Sequence, residues 1–421
     1  PPVRHAPIVT PSGTVSADRA ASFAPARHIG KVHPLSSGET HAVVTPLSAQ
    51  AAHLMQAAFA PQAAPADLPP NDSAKSLIDG DPRVVQARRA LELDLRRAVQ
   101  AGDVSVGNGH FALKAGDAEG IRVSPRLDRA TLDLAVKLVD EQKLGRNTVP
   151  DLLAVSLSAT DYVGHATGTE GAEMCIQLMQ LDLALGDFFA SLDKRGIDYA
   201  VMLTADHGGF DIPERLHEQA LEKTSRVGPE VSAEALSATL GKRYGLEPKG
   251  LILSDGPAGD YWLRKDLDVG LKGKIIDDAR AILMTSPFVE KVLPAAEIAA
   301  TPMPHGSPET WTLAERARTS YNPLHSGDFV VMLKRGVVAI PQARKGYVAT
   351  HGSPWDYDRR VPILFWRKGM TGFEQPSPVE TVDIAPSLAA LIGLKTPQGA
   401  FDGRCLDLDG GTANTCGVMT K

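Results

Sequence analysis

The sequence predicts an α/β fold with a mostly parallel central sheet flanked by helices and an inserted capping subdomain. Residues 151–157 and 199–204 are short apolar runs without alternation, which is typical of strands buried on both faces. Between these runs, apolar residues recur at steps of three and four from Met174 to Leu192, a pattern that predicts an amphipathic helix. The strand, helix and strand follow one another in the order of a βαβ unit.

Changes in composition divide the chain into four predicted segments. Residues 1–80 are rich in Ala, Pro and Ser and are interpreted as a remnant N-terminal segment and linker. Residues 81–212 form the α/β core, residues 213–345 form the inserted capping subdomain, and residues 346–421 return to the core and end in a tail. The other predicted elements are helices at 84–99, 127–142 and 383–393, a hairpin between 251 and 263, and a strand at 361–366.

Composition excludes several classes of protein. The chain has 421 residues, of which 43% are hydrophobic and 22% are charged, so it is not disordered throughout, collagen-like or a coiled coil. Its net charge of −6 gives no support to a nucleic-acid or anionic-membrane partner, because either would favour a basic face. We expect no membrane span, because we find no apolar run of about 18 residues. The sequence indicates no oligomeric state.

Three cysteines are too few for a disulfide scaffold. Cys405 and Cys416 flank a short Gly-rich turn, and their spacing fits a bridge formed in an oxidising compartment as well as it fits two free thiols. Cys175 lies in an apolar helical segment, where we expect it to be buried.

Three clusters of Asp and His adjoin predicted core strands. Asp161 and His165 follow the first strand, Asp206 and His207 follow the second, and His351 lies shortly before the strand at 361–366. Ligand sites in open parallel sheets lie at the carboxyl ends of the strands, which is where the first two clusters fall. A loop could bring the third cluster to the same edge. Each cluster alone is also explained by a turn, a capped helix or a surface histidine.

Taken together, the clusters predict a metal site. Asp161 and His165 are four residues apart, so one helical turn would present both to one ion. Asp206 and His207 are adjacent and would point apart unless the backbone bends, which the following two glycines permit. Two carboxylates and three imidazoles suit Zn²⁺, and Mn²⁺ or Co²⁺ would be tolerable substitutes.

These motifs resemble the metal motifs of the alkaline phosphatase superfamily. The resemblance is to the branch of bacterial secreted alkaline phosphatases related to type I phosphodiesterases and nucleotide pyrophosphatases. It is carried by Asp161-Tyr-Val-Gly-His165, Ala205-Asp206-His207-Gly208 and the segment from His351 to Asp358, and it extends from about Gly107 to Leu408.

The resemblance implies an alkaline-phosphatase-like fold and a hydrolase of small-molecule phosphate monoesters that usually holds two Zn²⁺. Asp161, His165 and His351 would hold one ion, and Asp206 and His207 would belong to the other. A periplasmic or secreted location is implied as well, with the signal region absent from this chain.

Parts of the family pattern are missing. The family takes another Asp ligand from an N-terminal strand and a Thr or Ser nucleophile from a following motif, and we find neither. The nearest imitation of the nucleophile is Thr40, which lacks the expected Pro-Gly turn. Arg19 matches a phosphate-binding Arg of the family, but Ala17 stands where its Lys partner is expected. This alignment implies that the chain starts inside the family fold.

Several functions therefore stay open. The first is a two-zinc phosphate monoesterase, which could be truncated. The second is a phosphodiesterase or nucleotide pyrophosphatase of the same superfamily, which would share the ligands. The third is a catalytically inactive protein that keeps zinc, and the last is a structural module without metal.

Overall fold

The computed structural model describes residues 4–5, 111, 117–219, 221, 223–375, 377–397, 399–412 and 414–416. Arg19, Thr40 and the helix predicted at 84–99 lie outside the described residues. The chain forms two compact units. Of the longer described stretches, the first unit takes residues 117–198 and 343–349, and the second takes residues 199–342 and 350–416.

The first unit is built around two long helices that pack against each other. Its elements are β1 (Arg4–His5), α1 (Ala118–Arg122), α2 (Pro125–Glu141), β2 (Asp151–Leu152), α3 (Ala159–Thr167) and α4 (Ala172–Lys194). Helix α2 starts with proline at its first position, where the missing N–H costs no hydrogen bond, and it packs against both α3 and α4. The helices predicted at 127–142 and within 174–192 are thereby confirmed.

The described strand pairings are mixed, so the prediction of a mostly parallel sheet is not confirmed. Strand β1 pairs in parallel with β2, which is shorter than the strand predicted at 151–157. In the second unit, β3 (Ala200–Thr204) pairs antiparallel with β10 (Ile363–Arg367). Apolar composition predicts an extended backbone but not the direction of the neighbouring strand, and this pair is joined by a long excursion of the chain.

The antiparallel register also positions the site. Thr204, the last residue of β3, lies opposite Ile363, the first residue of β10. The segment that follows Thr204 and the segment that precedes Ile363 therefore meet at the same edge of this two-stranded sheet.

Between β3 and β10 the chain forms a four-stranded antiparallel sheet with helices packed on it. The sheet strands are β5 (Ile252–Ser254), β6 (Gly259–Leu263), β7 (Val289–Pro294) and β8 (Phe329–Leu333), in the order β5-β6-β8-β7. The other elements of this stretch are α5 (Pro213–Glu218), β4 (Ser225–Arg226), α6 (Ala233–Tyr244), α7 (Val269–Leu283), α8 (Ala295–Ala300), α9 (Leu313–Ser320) and β9 (Val337–Val338). The core is centred on the stacked rings of Tyr261 and Phe329, both fully buried. The hairpin predicted between 251 and 263 is confirmed as β5 and β6.

The second unit ends in α10 (Asp356–Arg359), β10, α11 (Ile384–Leu391) and a loop closed by a disulfide. Cys405 and Cys416 are bonded, with their Cα atoms 5.9 Å apart. Of the two arrangements compatible with their spacing, the structure contains the bridge.

Helix α4 departs from expectation in two ways. Cys175 is exposed rather than buried, because it lies on the side of the helix away from α2 and α3. By length and hydropathy alone, α4 could also cross a membrane, although core helices of many proteins meet the same criteria.

Candidate metal centre

Helix α3 presents Asp161 and His165 on one face. Asp161 lies in the first turn and His165 in the last, four residues apart, so their side chains point to the same side. The Nε2 atom of His165 is 3.3 Å from an oxygen of Asp161, and the two side chains are 18% and 34% exposed. The predicted pairing of these two residues on one helical face is therefore what the structure contains.

Hydrogen bonds orient the ring of His165. Its Nδ1 atom is 2.8 Å from the carbonyl oxygen of Ala349, and its own carbonyl accepts hydrogen bonds from the N–H groups of Val348 and Ala349. A carbonyl partner makes Nδ1 the protonated nitrogen, which leaves the lone pair on Nε2, the atom that faces Asp161. Metal-binding histidines are commonly oriented in this way.

The spacing of Asp161 and His165 fits two ligands of one metal ion. Tetrahedral zinc with bonds of about 2.0–2.1 Å separates two ligand atoms by about 3.3–3.4 Å. The observed 3.3 Å between the Asp161 oxygen and the His165 Nε2 atom agrees with that separation, so this pair fits a zinc ion.

Asp206 and His207 repeat the arrangement on the loop after β3. The Nδ1 atom of His207 is 2.8 Å from the carbonyl oxygen of Gly208, and its Nε2 atom is 3.6 Å from an oxygen of Asp206. Asp206 is 87% exposed. The ring of His207 also stacks on that of His351, with centroids 3.4 Å apart and planes 13° from parallel.

The two glycines after His207 hold this loop against the segment that follows His351. The N–H groups of Gly208 and Gly209 donate to the carbonyl oxygens of Asp358 and Tyr357 at 2.7 and 3.0 Å. A Cβ atom on Gly208 would lie 2.1 Å from the carbonyl oxygen of Tyr357. Glycine is therefore required here for a close approach of two backbones.

Asp358 is a buried carboxylate that the sequence did not single out. One of its oxygens accepts a hydrogen bond from the Ser353 N–H at 2.7 Å, while the other is buried without a hydrogen-bond partner. Burial raises the pKa of Asp358, and the hydrogen bonds from Ser353 and the neighbouring imidazoles of His351 and His207 oppose that rise. Its place in the predicted third cluster was visible in the sequence, but nothing distinguished it from the acidic residues beside it.

The structure thus pairs Asp161 with His165 in the first unit, and in the second unit it places Asp206 beside His207 and stacks the rings of His207 and His351. The assignment of these residues as metal ligands stays a prediction. The candidate phosphate-binding Arg19 and the candidate nucleophile Thr40 lie outside the described residues.

Comparisons with known proteins agree with the motifs. Residues 81–354 match the family described as type I phosphodiesterase / nucleotide pyrophosphatase. The chain is 52% identical over 319 residues to alkaline phosphatase PhoK of Sphingomonas sp, covering 76% of this chain and 57% of that protein. It is 48% identical over 328 residues to alkaline phosphatase PhoD of Zymomonas mobilis, covering the same 76% and 57%.

A solved structure of an alkaline phosphatase is also similar to this chain. The crystal structure of wild-type alkaline phosphatase PafA is similar with a TM-score of 0.60 and 27% identity, covering 69% of this chain and 54% of that one. The chain therefore spans little more than half the length of the relatives that it matches.

Proposed function

Because the chain belongs to the type I phosphodiesterase / nucleotide pyrophosphatase family, within the alkaline phosphatase superfamily, we propose that it hydrolyses phosphate monoesters with bound zinc. The observation that carries this proposal is the pairing of Asp161 with His165 on one face of α3, with 3.3 Å between the carboxylate oxygen and the Nε2 atom. The hydrogen bond from His165 to the Ala349 carbonyl supports it, because it directs the other ring nitrogen to the ligand position.

In this proposal Asp161, His165 and His351 hold one zinc ion, and Asp206 and His207 contribute to the other. Bound zinc supplies charge stabilisation to a phosphoryl group and lowers the pKa of an attacking hydroxyl. The protein's own contribution is orientation: Ala349 fixes the His165 ring, and the carbonyl of Gly208 fixes the His207 ring. Hydrolysis replaces the ester P–O bond by a bond to a water-derived oxygen and releases the alcohol.

Two other functions share these ligands. The matched family supports a phosphodiesterase or nucleotide pyrophosphatase as the second candidate. A zinc-binding homologue without turnover is the third, because no residue is assigned as the nucleophile. The three candidates differ in substrate and turnover rather than in metal binding.

The test is hydrolysis of p-nitrophenyl phosphate by the zinc-loaded chain at alkaline pH, beside bis(p-nitrophenyl) phosphate as the diester. We expect faster release of nitrophenolate from the monoester, and loss of that activity with a chelator and in His351→Ala. The exposed histidine His305 provides a matched control, since His305→Ala removes an imidazole outside the group. A preference for the diester would favour the second candidate. Zinc binding without turnover would favour the third.

We also propose a periplasmic or secreted location. The Cys405–Cys416 disulfide supports it, because disulfides persist in oxidising compartments and are rare in the cytosol. Thiol counting on the unfolded, unreduced protein should find Cys175 as the one reactive thiol.

A further inference from the structure

We propose that Asp128 and Gln177 are positioning residues that hold the first turn of α3 and thereby set the place of the candidate ligand Asp161. The inference rests on the proposed metal function, in which Asp161 is a ligand. Neither Asp128 nor Gln177 belongs to the motifs by which the metal site was predicted.

The carboxylate of Asp128 reaches α3 from α2. One oxygen of Asp128 accepts a hydrogen bond from the backbone N–H of Ala159 at 3.0 Å. Ala159 is the first residue of α3, and its N–H is one of the groups that a helix leaves without a partner inside itself. Ser158, at the N-cap position, makes no side-chain cap, so Asp128 supplies the capping acceptor from another helix.

The amide of Gln177 reaches the same turn from α4. Its Nε2 atom donates to the second oxygen of Asp128 at 2.9 Å and lies 3.3 Å from the hydroxyl oxygen of Thr160. The two contacts to α3 therefore fall on the two residues immediately before Asp161. A rotation or shift of this turn would carry the Asp161 carboxylate with it.

The environment of the pair argues against a role in packing alone. Asp128 is 1% exposed and Gln177 is fully buried, and the side-chain oxygen of Gln177 has no hydrogen-bond partner. Apolar side chains of similar volume would pack these three helices without the cost of burying a carboxylate. A role in fixing the orientation of α3, and with it the position of Asp161, explains why this cost is retained.

The first test compares zinc affinity, by competition with a chromophoric chelator, in the wild-type chain, Asp128→Ala and Asp128→Asn. Asparagine keeps an oxygen that can accept from Ala159. We expect Asp128→Ala to bind zinc about tenfold more weakly and Asp128→Asn to recover most of the affinity. Leu192→Ala is the control, because Leu192 is buried on α4 but lies about 22 Å further along the helix than Gln177. It should lower stability and leave zinc affinity unchanged.

Hydrogen exchange is the second readout and does not depend on metal. In Asp128→Ala we expect amides in the first turn of α3 to exchange about tenfold faster, with no change at the far end of α4. If Asp128→Ala does not fold, Thr160→Val removes the hydroxyl contact alone and should weaken zinc binding about threefold.

Unchanged exchange in the first turn of α3, or zinc affinity equal to that of the wild-type chain, overturns the inference. A wild-type chain that binds no zinc defeats the proposed function instead, and the exchange result then still decides whether the pair holds the helix.

Discussion

At the residue scale, each candidate histidine on α3 and on the β3 loop has one ring nitrogen beside a backbone carbonyl and the other facing a carboxylate. His165 uses the carbonyl of Ala349 and faces Asp161, while His207 uses the carbonyl of Gly208 and faces Asp206. A carbonyl partner selects the tautomer whose second nitrogen can bind a metal. The repetition of this arrangement in two places is stronger support for a metal centre than either pair alone.

Asp128 provides a prediction about pH at the same scale. Burial raises its pKa from 3.8 to about 6, against the hydrogen bonds from Ala159 and Gln177 that lower it. A carboxyl with a raised pKa stabilises the fold below its unfolded-state pKa, and this contribution is lost as pH rises through the folded-state pKa. Relative to Asp128→Asn, the wild-type chain should therefore lose about 2 kcal/mol of unfolding free energy between about pH 4.5 and pH 8.

Urea unfolding of both chains across that pH range measures the effect. The difference between the two chains isolates Asp128, because all other titrating groups are shared. A difference in unfolding free energy that stays constant with pH would contradict a raised pKa of Asp128 in the folded protein.

At the element scale, the sequence predicted helices better than strand pairing. The spacing of apolar residues located α2 and α4, since that spacing is a local property of the chain. The antiparallel pairing of β3 with β10 was missed, because the two strands are separated in the chain by residues 205–362. The pairing matters for function, since it brings the His207 loop and the segment before β10 to one edge.

In the candidate site, too, some residues could be predicted from the sequence and others could not. The candidate ligand residues could be singled out because Asp and His adjoin predicted strands in recognisable motifs. Asp128 and Gln177 were not, because a single polar residue within an apolar helical pattern carries no sign of the partner that it will meet. Asp358 was not distinguished because another acidic residue, Asp356, lies two positions before it in the same segment.

The C-terminal disulfide leads to a prediction for one element. Cys405 and Cys416 enclose a short loop next to hydrogen bonds that join Arg404 to Asp383 and Leu406 to Ser387. Closing a loop of about 12 residues stabilises the fold by about 3 kcal/mol in the chain-entropy account. The double variant Cys405→Ser, Cys416→Ser should lose about that much unfolding free energy in denaturant titrations, and residues 404–416 should become sensitive to limited proteolysis. Equal stability and equal protease resistance would contradict the expected role of the bridge.

At the scale of the whole molecule, the family motifs and the folded chain point to the same candidate ligands. The motifs assign Asp161, His165 and His351 to one ion through resemblance. The structure pairs Asp161 with His165 in the first unit and stacks His351 on His207 in the second. Because the chain spans 57% of the length of its relatives PhoK and PhoD, its turnover is a separate question from its metal binding. Metal binding is therefore the property that tests the candidate site without assuming a nucleophile.

The most direct measurement is zinc content per chain after dialysis, by elemental analysis, in the wild-type protein, His351→Ala and His305→Ala. We predict that the wild-type chain and His305→Ala retain the same zinc, and that His351→Ala retains one equivalent less, because His351 is a proposed zinc ligand and His305 is not. A wild-type chain without zinc, or a His351→Ala chain with undiminished zinc, would contradict the assignment of this site.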